Sequence, residues 1–118
     1  MSPTQRTLEA LRSQNALVGV VERYIAPAKT RIDLFGLFDL VAIRYDKIVG
    51  VQCTSGDHHA EHLNTMWEKR PEMVLWLRAG GEIELWSWRL GGPRGKRKVW
   101  TERVTKFRLT ATGSVTFR

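Results

Sequence analysis

The residues best suited to chemistry are Asp39 and Gln52. One lies in each of two neighbouring apolar runs, and they are separated by 13 positions (39 to 52). Burying a carboxylate among apolar side chains is costly unless a partner, such as a metal ion, compensates its charge. Asp39 interrupts the first run, while Gln52 and Thr54 bring polar groups to the end of the second. The position of Asp39 within an apolar run therefore indicates a chemical role for this carboxylate.

These residue types suit a divalent metal ion. Hydrolysis of a phosphodiester uses such an ion to polarise the phosphate and to lower the pKa of the attacking water, and carboxylate and carbonyl oxygens are its usual ligands. If Asp39 and Gln52 lie near the same end of a hairpin, a carboxylate and an amide oxygen converge. The backbone carbonyl of Cys53 is then a candidate third ligand.

The two runs themselves predict a β-hairpin. Leu37 to Ile43 and Ile48 to Cys53 are short, rich in Val and Ile, and joined by the polar link Arg44 to Lys47. Gly36 is expected to let the backbone bend just before Asp39. The hairpin thus positions the candidate ligands.

The remaining patterns complete a single α/β domain over residues 1–118. The predicted order is helix, strand, hairpin, helix and three strands. The first helix, capped by Ser2 or Thr4, and the second, capped by Ser55 or Asp57 and ended by Pro71, follow helical spacing. The other predicted segments are a strand Leu17 to Tyr24, a loop Ala26 to Lys29, strands Met73 to Arg78, Glu82 to Trp88 and Val99 to Leu109, and a tail Thr110 to Arg118 that is either an edge strand or frayed.

A basic loop is the second candidate functional feature. The net charge is +7 with a pI near 10.2, which favours polyanionic partners, above all nucleic acid. Arg89 to Lys98 is rich in glycine and basic residues, and it is either a solvated loop or a finger that contacts phosphates. The residues that would make the contacts are Arg94, Lys96, Arg97 and Lys98, with Arg31 elsewhere. Trp86 or Trp88 on an exposed strand face could stack on bases or form a dimer surface.

Other function classes are disfavoured. No apolar run approaches the roughly 20 residues that span a bilayer, and the first residues lack a signal peptide's apolar segment, so a cytoplasmic protein without membrane partners is expected. The single cysteine, Cys53, excludes an internal disulfide, no Cys/His spacing suggests zinc, and its apolar run predicts an inert buried thiol. His58, His59 and His62 are interpreted as residues of a solvated helix start, with phosphate contact, a metal site or a general base as alternatives.

Together these stretches resemble the PD-(D/E)XK nuclease superfamily, which includes restriction enzymes and archaeal Holliday-junction resolvases. The segments GLFDLVAI, carrying Asp39, and IVGVQCTSG, carrying Gln52, are similar to the two motif strands of that family, most of all to small phage-encoded members. The resemblance covers about Leu8 to Leu77. It implies a restriction-endonuclease-like fold, in which helices flank a central mixed β-sheet with an αβββαβ core, followed here by a C-terminal β-hairpin.

The chain departs from the family at two positions. Thr54 stands where the family usually places a catalytic lysine, and a hydroxyl cannot supply that charge; Lys47, Lys69 or Arg31 are candidate substitutes. The first helix also lacks the expected metal-binding glutamate. Glu22 is the preferred replacement, with a surface ion pair to Arg23 or Arg31 as the alternative. Asp33 is either a further ligand or part of a turn.

The resemblance implies a DNA endonuclease dependent on Mg²⁺ or Mn²⁺. Its catalytic positions would be Asp39, Gln52, Thr54 and Glu22, and its metal ligands Asp39, Gln52, Cys53 and Glu22. Similarity to the resolvases implies a homodimer that acts on branched DNA, in a bacterial or phage-infected host cell. The alternative hypotheses are a nuclease fold that has lost catalysis and binds nucleic acid or protein, and an unrelated small basic DNA-binding domain.

Overall fold

Three α-helices and eight strands make up the chain, and the computed structural model describes all residues, 1–118. A short 3₁₀ helix, Gly56–His58, precedes the second α-helix. The elements in chain order are α1 Pro3–Ser13, β1 Leu17–Val20, β2 Arg23–Ile25, β3 Thr30–Ile32, β4 Leu40–Arg44, β5 Lys47–Ser55, α2 His59–Glu68, α3 Arg70–Arg78, β6 Glu82–Gly91, β7 Val99–Leu109 and β8 Val115–Phe117.

A mixed six-stranded sheet forms the centre, in the order β1-β4-β5-β6-β7-β8. All neighbouring pairs are antiparallel except β5 and β6, which run parallel. A parallel pair needs a long crossover connection, and α2 and α3 supply it. The predicted fold class, a single α/β domain with a mixed sheet flanked by helices, is confirmed, and β4 and β5 form the predicted hairpin.

Helix α1 covers one face of the sheet. Its first turn is capped as predicted, because the backbone N–H of Gln5 donates to Ser2 Oγ at 3.1 Å. The helix turns Leu8 and Leu11 inward, where they are buried. The core on this face is made of Leu8, Leu11, Ala16, Val18, Leu40, Ala42, Val49, Val51, Cys53, Trp86 and Trp88.

Helices α2 and α3 cover the opposite face. Met66 and Met73, one from each helix, are the helix residues fully enclosed there. The core on this face is made of Leu37, Phe38, Met66, Met73, Ile83, Leu85, Phe107 and Val115. Because side chains alternate along β5, Gln52 and Thr54 belong to this face while Cys53 points to the other.

The prediction of a strand over Met73 to Arg78 is wrong, since α3 occupies this segment. Pro71 lies in the first turn of this helix, which begins at Arg70, and it does not end the previous helix, which stops at Glu68. Proline is well tolerated in a helix's first turn, where its missing N–H is not needed. Met73 lies inward and Leu77 is half-buried, a spacing of four residues that fits a helix.

The predicted strand Leu17 to Tyr24 is also divided. β1 ends at Val20, and the chain then leaves the sheet to form the separate two-stranded β2–β3 hairpin around the predicted loop at residues 26–29. Similarly, the predicted strand Leu37 to Ile43 is shorter, because β4 begins only at Leu40. Asp39 therefore lies directly before a strand instead of inside one.

The tryptophan surface proposed on β6 does not exist. Trp86 and Trp88 are 3% and 8% exposed and belong to the core under α1. Their indole N–H groups donate to Glu84 Oε1 and to Thr7 Oγ1, both at 2.9 Å. Stacking on bases and dimer formation by these rings are therefore excluded.

Two further details concern the end of the chain and its helices. The tail contains a short edge strand, β8, so the first of its two predicted alternatives is correct. None of the helices has the length and apolar character needed to span a membrane.

Candidate metal centre

The β2–β3 hairpin brings two distant carboxylates together. Arg23 pairs with Ile32 at the base of this hairpin, so the residues just outside the pair, Glu22 and Asp33, become neighbours. Where β1 ends, the backbone N–H groups of Val21 and Glu22 donate to the carbonyl oxygen of Asp39, at 2.9 and 3.3 Å. The chain thus leaves the sheet beside Asp39, forms the β2–β3 hairpin and returns to the same place.

A tight turn brings Asp33 to Asp39 in the same way. Leu34 and Phe38 form an isolated β-bridge, so the flanking residues, Asp33 and Asp39, are again neighbours. Gly36 has φ +68°, the left-handed conformation that glycine adopts without strain, and its N–H donates to Asp33 O at 3.1 Å. The predicted bend at Gly36 is confirmed, and its consequence is to place Asp33 in the site.

Glu22, Asp33 and Asp39 together form what is here called the carboxylate cluster. One oxygen from each lies within 4.8 Å of the other two. Asp39 is 5% exposed. Burial, followed by the nearby carboxylates of Asp33 and Glu22, raises the pKa of Asp39 to about 9. At neutral pH Asp39 is therefore protonated. A metal ion bound to the cluster would allow Asp39 to ionise.

Two contacts partly compensate the negative charge of the cluster. The backbone N–H of Cys53 donates to Asp39 Oδ2 at 2.9 Å, a contact that favours the ionised carboxylate. Arg31 Nη1 lies 3.1 Å from Glu22 Oε1, the ion pair expected as an alternative role for Glu22. Arg31 is largely exposed and Glu22 is not. The only cation paired with the cluster thus sits at its outer rim.

Gln52 reaches the cluster through Asp33. Its amide nitrogen donates to Asp33 Oδ2 at 3.0 Å and to the carbonyl oxygen of Leu37 at 2.8 Å. Both partners are acceptors, so the amide nitrogen must face them, and the oxygen points elsewhere. In this arrangement Gln52 holds Asp33 in place, and a role as metal ligand requires its amide group to turn over.

Thr54 and Cys53 offer less to this site. Thr54 is buried, with 6% of its surface exposed, and it stands next to Ser87 of β6. Burial raises the pKa of the Cys53 thiol to about 12, so this thiol is neutral, as the sequence predicted. Cys53 contributes its backbone to the cluster, and its side chain belongs to the core under α1.

Among the candidate substitutes for the missing lysine, Lys69 and Arg31 lie at the end of the sheet that carries the cluster, and Lys47 lies at the other end. Lys69 joins α2 to α3, and its Nζ packs against the turn so closely that a Cβ on Gly36 would lie 3.2 Å from it. Gly36 stands between Asp33 and Asp39 in the chain. Lys47 pairs with Arg44 at the opposite end of β5 and is excluded as a substitute for the missing lysine.

The basic loop, defined here as residues 92–98, extends beyond the same edge of the sheet. Gln52 pairs with Leu85, and β6 continues to Gly91, past the end of β5. At 3.3 Å per residue the loop begins roughly 20 Å beyond the level of Gln52. Its basic side chains are exposed and form no ion pairs: Arg94, Lys96, Arg97 and Lys98.

Chemically, the cluster offers what a hard divalent cation needs. Three carboxylates supply oxygen ligands, and a fourth position is within reach if the Gln52 amide turns. The site lies at the ends of β1 and β4, where it is partly open through Glu22 and Asp33. A bound cation would compensate the charges that keep Asp39 protonated, and it would have positions left for water or a phosphate oxygen.

The sequence left Asp33 open between a ligand and part of a turn. The structure places it at the start of the turn and within the carboxylate cluster. The available signal was the pair of short β-prone segments around Ala26–Lys29, RYI and TRI, which predict a hairpin with Glu22 and Asp33 at its base. Interpreting Leu17 to Tyr24 as one strand concealed that signal.

The interpretation of the three histidines as solvated is wrong for His59. Its ring is 3% exposed and contacts two hydroxyl groups, Ser87 Oγ at 2.6 Å and Thr105 Oγ1 at 3.0 Å. His58, in contrast, is exposed and lies 3.2 Å from Glu61.

Comparison with protein-family models, with curated proteins and with solved structures finds no match for this chain. The chemistry of the site is therefore supported by its geometry alone.

Proposed function

We propose that this protein is a DNA endonuclease that uses Mg²⁺ or Mn²⁺ bound by the carboxylate cluster to hydrolyse phosphodiester bonds. The observation that carries the proposal is the convergence of Glu22, Asp33 and Asp39 within 4.8 Å around a buried aspartate. Three carboxylates this close repel one another, and a divalent cation is the partner that best offsets the repulsion.

The roles follow from the positions. Asp39 and Asp33 would hold the ion, with Glu22 assisting from the rim and the Gln52 amide completing the set after turning over. The ion would polarise the scissile phosphate and lower the pKa of the attacking water. Lys69, whose amine lies against the turn between the two aspartates, would supply the positive charge that Thr54 cannot.

The charge distribution supports DNA as the substrate. The net charge is +7, and the basic loop overhangs the sheet edge that carries the cluster. The roughly 20 Å between the level of Gln52 and the loop corresponds to about six nucleotides of a duplex strand at 3.4 Å each. A strand held at the loop could therefore lie with a phosphate at the cluster. Action on branched DNA as a homodimer is part of the proposal by resemblance.

A second function is also proposed, because Thr54 is buried and uncharged where the enzymes that the chain resembles usually carry a lysine. In that case the fold binds nucleic acid without cleaving it. The basic loop would then carry the function, and the carboxylate cluster would be a remnant.

Cleavage assays separate the two functions. Linear duplex, single-stranded and four-way branched DNA are incubated with Mg²⁺ or Mn²⁺ and wild-type protein, Asp39→Asn or Asp33→Asn. We expect metal-dependent cleavage by the wild type, lost in both variants. The matched control is Glu9→Gln, which removes an exposed carboxylate from α1 and should cleave normally. Binding of DNA with no cleavage of any substrate would establish the binding function instead.

A further inference from the structure

A second polar site lies on the same face of the sheet as the carboxylate cluster. It is a cleft of about 470 Å³ between the start of α2 and strands β6 and β7, and none of its lining residues is hydrophobic. Ser87 of β6 lines it and pairs in register with Thr54 of β5, the strand that carries Gln52. With strands about 4.8 Å apart, the cleft lies roughly 10 Å from the cluster.

The floor of the cleft contains the Ser87 hydroxyl, which is held in place by its hydrogen bond with His59. His59 lies between the hydroxyls of Ser87 and Thr105, and in the neutral ring one nitrogen donates and the other accepts. Burial, with the charges of Arg103 and His62, lowers the pKa of His59 and keeps the ring neutral. Of the two hydroxyls, only that of Ser87 lines the cleft. When His59 Nδ1 donates to Ser87 Oγ, the Ser87 hydroxyl hydrogen is free to point into the cleft.

The walls carry two guanidinium groups without partners. Arg103 pairs with Ser87, and Arg89 is two residues further along β6, so both belong to the face of Ser87. Neither arginine forms an ion pair. Asp57 also lines the cleft, whereas Glu102 alternates with Arg103 and so points its side chain to the other face. Two positive charges therefore face one negative charge.

We propose that this cleft binds a phosphate group of a polynucleotide strand, a few nucleotides from the phosphate that is cleaved. Guanidinium groups and a hydroxyl donor are the groups that recognise phosphate oxygens. The roughly 10 Å to the cluster corresponds to about three nucleotides of a duplex strand. This proposal rests on the proposed function for the identity of the strand, but phosphate binding in the cleft does not depend on a metal ion.

The first test is a metal-free titration of the protein with inorganic phosphate, followed through the NMR signals of the histidine rings. We expect a saturable shift of the His59 signals that is absent from His58. Arg103→Gln and Arg89→Gln should each weaken binding about tenfold, and Asp57→Asn should tighten it severalfold. The matched control, Arg108→Gln, changes an exposed arginine on the opposite face of β7 and should bind as the wild type does. A shift that does not saturate, or equal weakening by Arg108→Gln, would overturn the site.

The second test links the cleft to DNA. A trinucleotide whose phosphates are all internal should compete with inorganic phosphate for the His59 signals in the metal-free protein. If phosphate binds and the trinucleotide does not, the cleft takes free phosphate and the proposal is wrong. The same titrations on Asp39→Asn should be unchanged, so loss of the nuclease function and loss of the phosphate site give different results.

Discussion

At the scale of single residues, Asp39 sets the chemistry of the site. It lies just before β4, it is nearly inaccessible, and its closest ionisable neighbours are two other acids. The backbone N–H of Cys53 is the one donor that orients it from inside the sheet. An acid placed in this way destabilises the metal-free protein, and we expect a bound metal ion to remove this destabilisation.

Replacing Asp39 should stabilise the metal-free protein. Because the folded state raises the pKa of Asp39 from 3.8 to about 9, the folded protein holds a proton that the unfolded chain has already released between these values. The stability of the wild type therefore falls as pH rises through this window. Asp39→Asn removes the titration and should be more stable by about 1–2 kcal/mol near neutral pH.

Urea unfolding in the presence of a chelator measures this difference. The advantage of Asp39→Asn over the wild type should be smallest near the unfolded pKa of 3.8 and should grow toward the folded pKa of about 9. Glu9→Gln should follow the wild type at every pH. An Asp39→Asn variant that is less stable than the wild type throughout would show that the carboxylate is satisfied without a metal ion.

Lys69 should support cleavage without supporting metal binding. Its amine packs against Gly36, between the two aspartates in the chain, and forms no ion pair. Lys69→Gln should lower the rate of cleavage about 100-fold or more, the range typical for loss of one group that stabilises transition-state charge. Metal affinity should stay the same or rise. Lys47→Gln, at the other end of β5, is the control; equal rates for both variants would remove Lys69 from the mechanism.

The sequence allowed part of this site to be predicted. Asp39, Gln52 and the substitute carboxylate Glu22 all lie in or beside the cluster. Asp33 and His59 escaped a firm prediction, because their roles depend on contacts with distant segments. Asp33 needs both the β2–β3 hairpin and the turn at Gly36, and His59 needs hydroxyls from β6 and β7. The segments RYI and TRI indicate the hairpin, but no local pattern contains the other contacts.

At the scale of elements, the site depends on how closely the turn before β4 packs on the sheet. Phe38 lies over Gly50 of β5, with no room for a side chain between them. Phe38 also contacts the ring of Trp76 on α3, with centroids 4.7 Å apart. The glycine therefore sets the position of the residue next to Asp39.

Gly50→Ala should disturb both stability and the site. A Cβ at this position would lie 2.5 Å from the Phe38 ring, which must move and carry Asp39 with it. We expect a loss of about 1–3 kcal/mol in the free energy of unfolding, together with slower cleavage.

The matched control for this change is Gly19→Ala. Gly19 lies in the same cross-strand row, since both glycines pair with Val41, but nothing lies within 4 Å of a Cβ there. Its stability should change by about 0.5 kcal/mol at most. If both variants behave alike in urea unfolding, close packing of Phe38 does not position the site.

Element types were predictable where spacing was unambiguous and not elsewhere. α1 and the β4–β5 hairpin follow clear periodicities. The segment Met73–Arg78 is short and apolar, a pattern that fits a strand and a buried helix equally, and the crossover between parallel strands decided it. Tertiary context, absent from the local sequence, made the difference.

At the scale of the whole molecule, positive charge lies at both ends of the sheet, but only one of these ends carries the carboxylate cluster. The basic loop extends from the sheet edge that carries the cluster and the cleft, while several other arginines lie at the opposite end. Those at the opposite end include Arg78, which lies near Gly113 in the β7–β8 turn, and Arg108 and Arg118 on β7 and after β8. DNA bound for cleavage should therefore use the loop end.

Neutralising the basic loop should reduce the salt dependence of DNA binding. Replacing Arg94, Lys96, Arg97 and Lys98 by Gln removes up to four phosphate contacts, and each contact contributes about 0.9 to the slope of log Kobs against log salt concentration. Fluorescence anisotropy with duplex DNA measures the slope. A variant with Arg12, Arg78, Arg108 and Arg118 replaced by Gln removes the same charge and should keep most of the slope. Equal loss in both variants would mean that net charge alone attracts the DNA.

The metal centre is tested by a calorimetric titration of the protein with Mn²⁺ near neutral pH, performed in buffers of different ionisation enthalpy. We expect one ion per chain and the release of about one proton, because binding must ionise an Asp39 whose pKa is about 9. Binding should disappear in Asp39→Asn and Asp33→Asn and persist in Glu9→Gln. Absence of Mn²⁺ binding by the wild type, or unchanged binding by Asp39→Asn, would contradict the assignment of Glu22, Asp33 and Asp39 as a metal centre.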